Sequence, residues 1–142
     1  MPSLRVASRA AAVVLDASVV VDSLVSAGAA LRLAAEVGDA TPCAPELIDA
    51  EVLSALRGLV LGGEASEAEA RRRVLVQAKS PIVRVPHADL LPAAWRLRHN
   101  LTAYDALYVA LAQALEARLI VSDARLAGAP GLGVAVTVLP TG

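Results

Sequence analysis

Residues 12–22 read AVVLDASVVVD, and this stretch decides the fold. Ala12 to Leu15 is a short apolar run rich in β-branched residues, the pattern of a buried strand. The run stops at Asp16. Ser18 follows where a helix cap belongs, so Val19 to about Ser26 reads as a helix. Further helices are expected from about Ala29 to Val37, from Pro45 to about Leu61 and from Glu67 to about Ala78. Two more are expected from Ala88 to about Arg98 and from Thr102 to about Ala117. Short strand patterns fall at Thr41 to Ala44, Ile82 to Val85, Leu119 to Val121 and Val134 to Leu139, and Ala124 to Ala127 reads as a turn. Strands alternating with helices predict an α/β fold with a short, mostly parallel central sheet flanked by helices. At 142 residues the chain is expected to form one domain, residues 1–142.

Composition narrows the possibilities. Hydrophobic residues make up 56% of the chain, yet it holds only one Trp, two Tyr and no Phe, so the core must be built from Ala, Val and Leu. A mean hydropathy of +0.59 suggests apolar surface covered by a partner, although a composition biased to Ala and Val accounts for it as well. The net charge of −1 provides no global field for nucleic acid, so any such binding needs a local patch. The single cysteine, Cys43, excludes an internal disulfide and a Cys-rich metal site, and fits a reducing compartment such as the cytoplasm. Arg5 and Arg9 before an apolar run superficially resemble a leader, but Asp16 interrupts that run. No uncharged apolar stretch reaches the length of a membrane span.

Four acids stand in apolar or small-residue surroundings: Asp16, Glu51, Asp105 and Asp123. A carboxylate is costly there unless it is paired or holds a cation. The chain has one Lys, and only Asp123 has an Arg within two residues, Arg125. A hard divalent cation on oxygen ligands answers that need. Asp16 and Asp123 each follow a predicted strand, where open α/β sheets bind ligands, although Asp is also common in caps and turns. Glu51 falls at the edge of an apolar helical stripe through Ile48, Val52, Ala55 and Leu59, beside the small Ser54 and Gly58, while Asp49 lies beyond the other border. Thr102 and Asp105 have the spacing of a capping box. The helix they open is apolar nearly all round until Gln113, which places Asp105 inside the molecule.

These segments resemble a PIN-domain ribonuclease of the VapC toxin type. VVLDASVVVD (13–22) is similar to the family's first strand, with its acid at Asp16 and its hydroxyl at Ser18. APELIDAEVLSALR (44–57) is similar to the second-acid helix with Glu51, NLTAYDALYVALAQAL (100–115) to the third with Asp105, and LIVSDARLA (119–127) to the fourth with Asp123. The resemblance spans nearly the whole chain. It implies a Mg2+- or Mn2+-dependent endoribonuclease, the toxin of a toxin–antitoxin pair, with Asp16 and Asp105 as principal metal ligands. Glu51 and Asp123 would complete the cluster directly or through water, and Ser18 would orient a ligand. Two cations about 4 Å apart suit phosphodiester hydrolysis, because they clamp the attacking and leaving oxygens. The resemblance also implies RNA as substrate, a cognate antitoxin as partner and a homodimer or a heteromer with that antitoxin.

Other features are weaker. Arg71 to Arg73, Arg96 and Arg98 are candidate phosphate contacts, although solvated helix faces explain the triple Arg better. Tyr104 could stack on a base, although packing in the core is the expected role, and His87 and His99 are expected on the surface. Two alternatives compete with the nuclease: a PIN scaffold that only binds a partner, and another phosphate-handling hydrolase. An aspartyl-phosphate enzyme needs a second Asp two residues after the first, and here that position is Ser18.

Overall fold

The computed structural model describes residues 11–129 and 131–141, so the leader-like residues 1–10 lie outside the described residues. In chain order the elements are β1 (Ala12–Leu15), α1 (Ala17–Val25), α2 (Ala27–Val37), β2 (Thr41–Pro45), α3 (Leu47–Leu61), α4 (Glu67–Ala78), β3 (Val83–Val85), α5 (Leu91–Arg96), α6 (Ala103–Leu115), β4 (Arg118–Val121) and β5 (Val136–Val138). The strands form one sheet in the order β3-β2-β1-β4-β5. Every neighbouring pair is parallel. No described helix is long and apolar enough to cross a membrane.

The strand order follows from short, right-handed connections. From β1 the chain steps to β2 and then to β3, with α1 to α4 carried on one face. It then crosses to the other side of β1 through α5 and α6, which lie on the opposite face. The order therefore reverses between β1 and β4, and their C-terminal ends face a common crevice. Residues Val13 to Leu15 and Leu119 to Val121 are buried, as are all residues from Ala106 to Ala112 in α6. The aliphatic core expected from composition is present, and the one aromatic in it is Tyr108.

Several boundaries differ from the sequence-based expectation for identifiable reasons. Asp16, not Ser18, caps α1: its carboxylate accepts from the Ser18 N–H at 3.1 Å, and the helix starts at Ala17. Pro45 ends β2 instead of opening α3, because the Glu46 N–H continues the ladder to the Val85 carbonyl at 2.9 Å. The helix expected over 88–98 divides into a 3-10 turn, Ala88–Leu90, and the six residues of α5, with Pro92 in its first turn. His87 is half-buried, and its Nε2 accepts the Leu47 N–H at 3.0 Å, satisfying an open donor of α3's first turn. It is therefore a structural cap. His99 is exposed, as expected.

A polar knot ties α3 to α4 and β3. Asp49 accepts from Gln77 Nε2 at 2.9 Å and from Arg84 Nη2 at 3.0 Å, while Arg84 also donates to the Ser80, Ile82 and Gln77 carbonyls. Gln77 is the buried polar residue of this region, 4% exposed. Asp49→Ala leaves its amide without that acceptor and should cost about 1 kcal/mol, the half-exposed ion pair itself being partly screened. Burial alone raises the Asp49 pKa, but the Arg84 and Gln77 hydrogen bonds and the Arg84 charge outweigh it, so the net shift is downward. Asp49 therefore contributes stability above its unfolded pKa, and that contribution disappears as pH falls through the folded value. Urea melts of wild type and Asp49→Ala should differ at neutral pH and converge in acid.

Candidate active site

Three helix N-termini converge at the C-terminal edge of the sheet, and each brings one acid. Asp16 caps α1 directly after β1, Glu51 lies in the second turn of α3 after β2, and Asp105 lies in the first turn of α6. All three are half-buried. The positive ends of these helices favour anionic groups, which helps hold carboxylates at such a place. The Thr102 hydroxyl accepts from the Asp105 N–H at 3.2 Å, so the expected cap is present while the Asp105 carboxylate projects from the same turn.

Ser18 joins the two strands at the switch point. Its hydroxyl donates to Asp16 Oδ2 at 2.5 Å and accepts from the Ser122 N–H, just past β4, at 3.1 Å. Tyr108, fully buried in α6, donates its hydroxyl to Glu51 Oε1 at 2.8 Å and so fixes the α3 acid from the opposite face of the sheet. Burial of Asp16 raises its pKa, the Ser18 hydrogen bonds oppose this, and the Asp105 charge adds to the rise. Glu51 is likewise raised by burial, held back by Tyr108, and raised again by the charges of Asp16 and Asp105. Tyr108 itself is pushed far up, by burial first and then by the Glu51 charge and hydrogen bond, so it remains a donor at any working pH.

Asp123 behaves differently. It follows Ser122 at the β4 end, but its carboxylate engages the Arg125 N–H at 2.9 Å and Arg125 Nε at 2.6 Å. Those bonds hold its pKa below the ordinary carboxylate value. The Arg125 guanidinium also senses Asp105 and Asp16, so a cation already stands at the rim of the acidic group. The structure thus brings Asp16, Glu51 and Asp105 into mutual electrostatic reach and pairs Asp123 with Arg125. None of the ion pairs among the described residues involves the first three acids. Among the described residues, no three His, Cys, Asp or Glu side chains are drawn closely enough to hold an ion as they stand. The donor set still fits a hard cation in its chemistry, since it is all oxygen, anionic and internally repelling. Cys43 takes no part: it is buried in β2, and burial pushes its thiol up to about 11, which leaves it inert.

Sequence reasoning missed the part played by Tyr108, which carries no signal in a helix that is apolar on every side. It also misplaced Tyr104, which is exposed instead of packed in the core. Asp49, two residues before Glu51 in the same helix, is turned instead to Arg84 and Gln77 on β3 and α4.

Comparison with known proteins agrees with this architecture. The PIN domain family model matches residues 13–132, and the chain belongs to that family. Ribonuclease VapC1 from Mycobacterium tuberculosis (strain CDC 1551 / Oshkosh) is 48% identical over 121 residues, covering 84% of this chain and 91% of that protein. VapC ribonuclease Mb0985 from Mycobacterium bovis (strain ATCC BAA-935 / AF2122/97) is 35% identical over 128 residues, covering 90% of this chain and 98% of that protein. Ribonuclease VapC12 from Mycobacterium tuberculosis (strain CDC 1551 / Oshkosh) is 34% identical over 119 residues, covering 84% and 92% respectively.

Two substitutions test the supports of the acids. Ser18→Ala removes a donor from Asp16 and an acceptor from the Ser122 N–H, and should cost about 1–2 kcal/mol in denaturant melts. Tyr108→Phe removes the bond that holds the Glu51 pKa down, so the Glu51 titration, followed by carboxyl carbon NMR in metal-free protein, should move to higher pH. An unchanged Glu51 midpoint would show that Tyr108 does not stabilise its ionised form.

Proposed function

We propose that the protein is a divalent-metal-dependent endoribonuclease and acts as the toxin of a toxin–antitoxin pair. The observation that carries this reading is the meeting of Asp16, Glu51 and Asp105 at the β1/β4 switch point of a PIN-family fold. The relatives, named as ribonucleases, support the reaction class. Asp16 and Asp105 are the principal ligands for Mg2+ or Mn2+, and Glu51 and Asp123 complete the set. A bound divalent cation supplies Lewis acidity for phosphodiester hydrolysis.

The chain's own residues do the rest. Ser18 orients the Asp16 carboxylate and opposes its protonation, and Tyr108 does the same for Glu51. Asp123 can join the ligands only by leaving Arg125, whose guanidinium then becomes available to a substrate phosphate. Hydrolysis of RNA requires the polyanion to approach an acidic cleft, so Arg125 at its rim offsets part of the repulsion. The cognate antitoxin would block this cleft with a basic side chain on its C-terminal segment. Free toxin would be a cytoplasmic homodimer, and residues 1–142 one PIN domain. Exposed Leu53, Leu61 and Leu75 on α3 and α4 supply apolar surface for such contacts.

The direct test is cleavage of single-stranded or loop-containing RNA by purified protein. Activity should require Mg2+ or Mn2+, vanish in excess EDTA, and fall by several orders of magnitude in Asp16→Asn and in Asp105→Asn. Full activity in EDTA, or in both variants, would overturn the mechanism. Adding the co-encoded antitoxin to saturation should abolish cleavage; undiminished cleavage would overturn the toxin reading while leaving the nuclease intact.

A further inference from the structure

The chain has three aromatic residues, and two of them lie on the surface. Trp95 is 68% exposed and Tyr104 is 64% exposed, in a protein whose core contains no aromatic except Tyr108. An exposed indole beside a core built of small aliphatic residues is informative, because the interior would gain more from it than from another Ala. The Trp95 ring is also prepared for contact. The Arg98 guanidinium carbon lies 4.8 Å from its centroid, and Arg98 Nη1 donates to the Trp95 carbonyl at 3.0 Å, which fixes the cation over one ring face.

The placement of this pair is equally specific. Leu91, Ala94, Trp95 and Arg98 face Ala103 and Ala106 of α6 across a cleft of about 400 Å3. Ala103 and Ala106 belong to the turn of α6 that carries Asp105, although Asp105 itself is on the side of the helix away from the cleft. At about 100° per residue, Tyr104 occupies the α6 surface between this cleft and the side that carries Asp105, one turn before Tyr108. Aromatic surface thus runs around the helix from the Trp95 cleft towards the acids. Arg98 is the charged residue of the cleft lining, and Arg96 is exposed two positions before it, in a chain of net charge −1.

From this arrangement we infer that Trp95 with Arg98, and Tyr104, form a stacking platform for unpaired RNA bases that flank the cleaved bond at a distance. The inference deepens the proposed nuclease activity and rests on it. Ring faces stack on any base, and guanidinium groups track the phosphates between bases. The combination of exposed rings and positive charge matches a single-stranded polyanion. The platform selects single-stranded or looped RNA over a duplex, whose bases are already stacked on one another.

Trp95 is the sole tryptophan, so its fluorescence reports this place alone. Metal-free protein in EDTA is titrated with a mixed-sequence single-stranded RNA oligonucleotide and with an abasic oligoribonucleotide of the same length. The account expects saturable quenching by the first and none by the second. Arg98→Ala and Tyr104→Ala should weaken binding of the RNA about tenfold or more. With Mg2+ present, Trp95→Ala should raise KM for cleavage by a similar factor with a much smaller change in kcat, and Trp95→Phe should recover most of the loss. Equal quenching by the abasic chain, no quenching, or a wild-type KM in Trp95→Ala overturns the platform. So does a Trp95 emission that shifts with protein concentration and ignores RNA, which would assign this face to a second copy of the chain. The two readings separate cleanly: cleavage without quenching rejects the platform and keeps the nuclease, whereas base-dependent quenching without cleavage rejects the nuclease and keeps a base-binding surface.

Discussion

Like charges held together at a sheet edge repel one another, and the residues around Asp16, Glu51 and Asp105 are arranged to contain that repulsion. Burial and mutual charge both favour the protonated forms of Asp16 and Glu51. Each has a hydroxyl that works in the other direction, Ser18 for Asp16 and Tyr108 for Glu51. For carboxylates with raised pKa, the stability they contribute is complete below their unfolded pKa and is lost as pH rises through the folded value. Near neutrality the metal-free site therefore works against folding, and the surrounding aliphatic core must compensate. That strain is what a cation would relieve, because it binds the folded arrangement and not the unfolded chain.

The scaffold explains why the acids meet at this particular edge. In a parallel sheet every strand ends on the same side, and every following helix begins there. β1 and β4 are neighbours in space although 104 residues separate Ser18 from Ser122, and the bond between those two closes the seam between them. The α6 helix reaches the same edge from the other face and is buried without interruption from Ala106 to Ala112. Its first turn precedes that buried stretch and carries polar groups, those of Thr102, Tyr104 and Asp105. Site and core are thus adjoining parts of one helix, which ties the geometry of Asp105 to the rigidity of the interior.

Much of this was legible in the sequence. β1, β4 and the burial of α6 followed from apolar patterning, and Asp16, Glu51 and Asp105 stood out as charges where charges are costly. Local patterning failed where the deciding contact is distant in the chain. Ser18 reads as a cap, but its partners include Ser122. His87 reads as surface, yet it accepts from Leu47, 40 residues earlier. Tyr108 is indistinguishable from its aliphatic neighbours until α3 brings Glu51 to it, 57 residues away in sequence. Tyr104 departs from expectation for the converse reason: the apolar character of α6 extends over its whole surface in the sequence, whereas Ala103 and Tyr104 at its start are exposed. Asp123 already differed from the other acids in having Arg125 two residues on, and that neighbour supplies its counter-charge.

The central claim is that the acids at the β1/β4 edge form a cation site. Calorimetric titration of metal-free protein with Mn2+ tests it most directly, with no dependence on substrate or turnover. The account predicts saturable binding to wild type, accompanied by a melting temperature that rises with Mn2+ concentration, and loss of both in the Asp16→Asn, Asp105→Asn double variant. Absence of binding at millimolar Mn2+, or binding that the double variant retains unchanged, would contradict it.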